Sequence, residues 1–154
     1  MKSSHLAADY LLRLFHSAGD PITNLKLQKL VYYAQAWHLA LFDTSLFPED
    51  IQAWVHGPVE PTLYERFKQM RWNPITDEIA APQVSKQAAV HLRNVFAAYG
   101  GFSPLQLEQM THVEQPWINA RGDIPPDASS TAVISHEAMK TYYRARLSEQ
   151  QTKK

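Results

Sequence analysis

The sequence predicts a mainly α fold: a single compact domain of about six helices, with at most a short strand or extended segment near residues 51–56. Apolar residues recur at helical spacing along most of the chain. Start and stop signals for helices punctuate those runs. Period-two alternation occurs only in "IQAWVH", where Ile51, Ala53 and Val55 alternate with Gln52, Trp54 and His56. The 154 residues suit one domain, which at this size buries roughly 70% of the unfolded chain's surface. We expect that domain to span residues 1–147, with 148–154 as a frayed tail.

The first helix is expected from Ser4 to about Ala18, with Ala7, Leu11, Leu14 and Ala18 on one face. Gly19 suits its end, because glycine accepts the left-handed conformation that commonly follows a helix. The second helix lies in "ITNLKLQKLVYYAQAWHLAL", opened by Thr23 or Asn24. Leu27, Leu30, Val31, Ala34, His38 and Leu41 form its stripe, and Tyr33, Ala36, Trp37 and Ala40 widen it. A face that wide belongs to a helix packed on two sides, hence a central core helix.

Gly57-Pro58 is expected to end the extended segment. Pro58 or Pro61 suits the first turn of the next helix, "PTLYERFKQM". "RWNPITDEIAAPQV" reads as a connector with a short extended piece near Ile75. A helix over Ser85–Tyr99 stops at Gly100-Gly101. Ser103, Pro104 and Gln106 form a capping box for "SPLQLEQMTH". Pro116 opens a helical turn in "PWINAR", and Ser135 caps the last helix, "SHEAMKTYYRARL".

Lys plus Arg and Asp plus Glu both number 15, so no global field draws the chain to nucleic acid or an anionic membrane. No stretch reaches the ~18 consecutive apolar residues of a spanning helix, and no signal-peptide core forms in "MKSSHLAADYLLRLF". The absence of cysteine excludes disulfides and thiolate zinc sites, and fits a cytoplasmic protein. Phosphate-binding loops, dinucleotide fingerprints and nucleophile elbows are all missing. No enzyme activity and no cofactor is expected.

Glu108 and His112 stand four apart on one helix, with Glu114 close behind. A metal-dependent module built on these residues is one alternative, although such Glu/His pairs are common on helix surfaces. A nucleic-acid-binding regulator of its own operon is another. Its cations would be Lys26 and Lys29, or Lys140, Arg144 and Arg146, against a neutral balance. Trp117 and Arg121 are spaced to stack ring on guanidinium.

Three blocks together resemble the Panacea domain, the SocA-like antitoxin family also seen as a phage-associated protein family. "LKLQKLVYYAQAWHLAL" is similar to that family's LQKL helix, carried by Leu27, Gln28, Lys29, Leu30 and Tyr32. "AWVHGPVEPTLYERF" matches its GPV pattern at Trp54, Gly57, Pro58 and Val59. "LEQMTHVEQPWINAR" matches its third segment at Thr111, His112, Pro116, Trp117 and Arg121.

The resemblance implies a stand-alone antitoxin of a bacterial or phage toxin–antitoxin system. Such a protein neutralises a toxin encoded by a neighbouring gene through direct contact, in some members as an adaptor that presents the toxin to a protease. A motif shared by antitoxins with different toxins is better explained by the fold than by one interface. We therefore expect the motif residues to be structural, with Trp117 buried, Thr111 and His112 tying the helix end to the next turn, and Arg121 paired to an acid. On residue type alone, the partner surface falls on the last helix at Tyr142, Tyr143 and Arg146. Homo-oligomerisation is left open.

Overall fold

The computed structural model describes residues 1–152. The expected mainly α architecture is present, with seven α-helices among the described residues and a two-stranded sheet. In order they are α1 (Ser4–Ser17), α2 (Asn24–Phe42), β1 (Gln52–Trp54), β2 (Gly57–Val59), α3 (Pro61–Phe67), a 3-10 turn (Lys68–Met70), α4 (Lys86–Tyr99), α5 (Pro104–His112), α6 (Gln115–Arg121) and α7 (His136–Thr152).

Helix α2 is the axis of the domain. Thr23 caps it by accepting the Lys26 N–H, and α1, α3, α4, α5, α7 and β2 all touch it. Surrounding an apolar helix on most sides hides Leu27, Leu30, Tyr32 and Tyr33 together, and also the polar Gln28, Lys29 and Gln35. Each buried polar group then needs an internal partner. Gln35 donates to Phe47 O at 2.9 Å and accepts the Leu46 N–H at 2.6 Å, which fixes the loop after α2.

Leu41 departs from the expected stripe and is 46% exposed. It lies in the last turn, beyond the packed face, just before Asp43 leaves the helix in the left-handed conformation. The capping box at Ser103 and Gln106 is formed, and the Ala138 N–H donates to Ser135 Oγ at the start of α7. Helix α7 continues to Thr152, through the first part of the segment expected to fray. Residues 153 and 154 lie outside the described residues.

Gly57-Pro58, expected to end the extended segment, instead begins a second strand. β1 and β2 pair antiparallel as Gln52–Val59, Ala53–Pro58 and Trp54–Gly57. In such a ladder hydrogen-bonded pairs alternate with non-bonded ones, and the pair closing a two-residue loop is bonded. Pro58 thus falls in a non-bonded pair, where its missing N–H costs nothing. Ala53 opposite must then find partners outside the hairpin. Its N–H donates to Ala132 O at 2.8 Å. Ile134 N–H donates to Ile51 O at 2.8 Å, which lays residues 132–134 along the free edge of β1. Ile75 is buried and anchored by its N–H to Ile22 O at 2.8 Å, but lies in no strand.

Candidate functional site

The three sequence blocks converge on the hairpin. His112 Nε2 donates to Val55 O at 2.8 Å, Trp117 Nε1 to Trp54 O at 2.9 Å, and an Arg121 guanidinium nitrogen to Ala53 O at 2.9 Å. Three side chains from α5 and α6 therefore hold three consecutive carbonyls. The His112 and Trp117 rings lie 4.2 Å apart, and the Arg121 guanidinium sits 4.9 Å from the Trp117 ring centroid. Burial holds the His112 imidazole below its ordinary pKa, against the pull of its bond to Val55 O. This favours the neutral ring with the proton on Nε2, where the carbonyl accepts it.

Arg121 has no acid partner among the described residues, contrary to expectation. Its second terminal nitrogen donates to Pro125 O at 2.8 Å and also to Ala128 O. A planar fork of donors suits several carbonyls at once, and here it fastens the loop after α6 to the hairpin. Thr111 turns back on its own helix, donating to Glu108 O at 2.9 Å, and its hydroxyl lies beside Gly57.

Gly57 has φ +111°, and a Cβ there would lie 2.5 Å from Lys29 Cε. Only glycine allows that approach. Lys29 is fully buried and donates to Pro58 O at 3.3 Å. Burial pushes its ammonium down to about 7, opposed by the charge of Glu108. Gln28 accepts the Glu60 N–H at 2.9 Å and donates to Asn24 Oδ1 at 3.0 Å. Glu60 in turn caps α3 through the Thr62 and Leu63 N–H groups. Leu27 and Leu30 fill the core, and Val59 and Pro116 are buried.

The sequence offers Glu114 as a metal ligand, and the structure gives it another place. It is 4% exposed and accepts from Tyr33 Oη at 2.7 Å and Tyr143 Oη at 2.9 Å. Arg146 lies 3.4 Å from its other oxygen. Tyr32 Oη joins through Tyr143 Oη at 3.1 Å. Glu108 meets His56 instead, at 2.7 Å, while His112 serves Val55 O. Glu108, His112 and Glu114 are thus not gathered at one point, and no metal-binding cluster of three occurs among the described residues.

The expected surface on α7 needs correcting at Tyr143, which is 1% exposed and belongs to this buried network. Tyr142 and Arg146 are half-buried, and Arg146 is tied to Glu114.

Outside the motif lies an open groove of about 1250 Å³ between the start of α2, the hairpin, α3, the turn after it, the start of α5 and residues 129–131. The Trp54 and Tyr64 rings pack edge-on at 5.0 Å along it. Trp72 is 81% exposed and Leu105 60% exposed on its rim. Sequence reasoning left Trp72 unassigned and did not single out Leu105. Spacing says nothing of two residues brought together from separate elements.

Among the described residues, no helix is long and apolar enough to cross a membrane. No curated protein and no solved structure matches the chain. A family model described as antitoxin SocA-like, Panacea domain, matches residues 27–118. That span contains the LQKL helix, the GPV hairpin and His112 with Trp117, the residues that close around one another here. The chain belongs to the SocA-like antitoxin family and carries its Panacea domain.

Proposed function

We propose that this chain is a non-enzymatic antitoxin that neutralises a protein toxin by direct binding in the cytoplasm. The family match over residues 27–118 carries this reading. The roles of the motif side chains support it. Lys29, Gln28, His112, Trp117 and Arg121 all engage atoms of this same chain. Groups committed to internal hydrogen bonds build a scaffold, which leaves partner choice to surfaces outside the motif. We read residues 1–147 as one such scaffold. Tyr142 and Arg146 keep enough exposure to contribute to a contact. Presentation of the toxin to a protease is a finer form of the same role.

The test is co-expression with the neighbouring gene. The neighbour is expected to stop growth alone and to be harmless beside this chain, with the two co-purifying. A toxic neighbour that still stops growth in the presence of this chain would remove the proposal. A shortened toxin half-life on co-expression would support the adaptor form, and an unchanged one would reject it.

A further inference from the structure

We infer that the groove beside the hairpin binds an extended acidic peptide segment of a partner protein, anchored by one or two large apolar side chains. The inference goes beyond the antitoxin reading and depends on no particular toxin.

Four observations carry it. The open groove, at about 1250 Å³, exceeds the usual range of small-molecule pockets, about 300–1,000 Å³. Its apolar surface is concentrated in large side chains, with Trp54 and Tyr64 along the wall and Trp72 and Leu105 on the rim. A tryptophan 81% exposed and a leucine 60% exposed lining one groove are the residue chemistry of a contact anchor.

The charge on the groove is positive. Lys68 and Arg71 outnumber Glu108, the one carboxylate lining it among the described residues, which bonds His56 at 2.7 Å. Lys68 reaches only an exposed Glu65 at 3.8 Å, a weak pair. The Arg71 side chain has no hydrogen bond or ion pair among the described residues. The starts of α2 and α5 open onto the same groove, and neither first turn carries an acid to offset the positive helix end. In a chain of zero net charge, this local excess selects an acidic occupant. Two cations are too few to hold a nucleic-acid backbone at physiological salt.

The fourth observation is strain. Arg71 adopts φ 55°, ψ −118°, a backbone region that L residues rarely occupy. Glycine would take it without penalty. An arginine is held there with its side chain unpaired on the groove rim, next to the exposed Trp72.

The test pans a short random-peptide library, displayed on phage, against the folded full chain. Enriched peptides are then synthesised and titrated by calorimetry. Enrichment of Asp and Glu beside Trp, Phe or Leu is expected, with binding that weakens as salt rises. Arg71→Glu should weaken it about tenfold or more, while Arg71→Lys retains most of it. Trp72→Ala should weaken it comparably, and both rim positions are exposed enough for the variants to keep the wild-type circular dichroism and melting temperature. Failure to enrich acidic sequences, or undiminished binding to Arg71→Glu and Trp72→Ala, would overturn the inference.

Discussion

The Tyr33 hydroxyl donates to Glu114 Oε1 at 2.7 Å across 81 residues of sequence, joining the central helix to the junction of α5 and α6. The Tyr33 ring stacks on Tyr99 with centroids 4.0 Å apart, which fixes its direction. Tyr143 donates to the same carboxylate oxygen, so Glu114 links three helical segments at one buried point.

Glu114→Leu should cost about 2–4 kcal/mol, because it strands two buried hydroxyls and an arginine. Glu114→Gln keeps an acceptor and should cost less. Burial raises the Glu114 carboxyl above its ordinary 4.5, against the pull of the Tyr33 and Tyr143 hydroxyls and Arg146. A carboxyl that holds its proton more tightly when folded adds stability in acid. That increment is complete below the unfolded value and is lost as pH rises through the folded one. The stability of wild type relative to Glu114→Gln should therefore move in wild type's favour as pH falls from about 7 to about 4. Urea melts across that range would show the trend, and a difference independent of pH would contradict it.

Lys29 shows the opposite sign. Burial lowers its ammonium from 10.5 to about 7. Between those values the unfolded chain binds more protons than the folded one, so this group's contribution to stability rises with pH. The cost of burying the charge is complete below the folded value and relieved toward the unfolded one. Lys29→Met should gain most over wild type in mild acid. That advantage should shrink by on the order of a few kcal/mol toward pH 10 or so. Paired melts at the two ends would detect it.

Arg121→Ala should lower stability by about 2–4 kcal/mol, since it strips partners from Ala53 O, Pro125 O and Ala128 O. Arg121→Lys should recover little of this, because one ammonium cannot span the separated carbonyls. A melting temperature for Arg121→Lys close to wild type would show that charge alone, and not the fork, matters.

Gly57→Ala should destabilise by more than about 2 kcal/mol, as its Cβ would meet Lys29 Cε at 2.5 Å with the backbone at φ +111°. Gly101→Ala is the control, with open space around its Cβ. It should change stability by less than about 0.5 kcal/mol. Equal melting temperatures for the two variants would refute the close-approach account.

Arg71→Gly should raise stability by about 1 kcal/mol by releasing the strained backbone. The gain is reduced by the extra freedom of glycine in the unfolded chain. Arg71→Ala leaves the backbone strained and should not share it. Matching melts for the two would place the penalty elsewhere.

Much of the architecture was legible because it is written locally. The Ser103–Gln106 capping box, the Thr23 start of α2 and the Trp117–Arg121 stack each involve residues within four positions of one another. Helix periodicity likewise marked α2 as the core helix, and the three ordered blocks pointed to the family. Gly57-Pro58 misled, because a glycine–proline pair is a turn signal that usually marks the end of a strand. Here the pair opens β2, with Pro58 opposite Ala53 in a non-bonded pair.

What tertiary structure alone decided was the partner of each buried polar side chain. Tyr143 looked like a surface aromatic until α7 packed on α2 and turned it toward Glu114. Arg121 looked for an acid and found carbonyls of the hairpin and its own loop. The groove is assembled from the starts of α2 and α5, the hairpin and the turn at Arg71, which are separated in sequence. Spacing and capping report the face a residue occupies on its own element. They cannot report what lies across a packed interface, because that contact is set by burying many apolar surfaces at once, and a polar group must take the partners this packing leaves within reach.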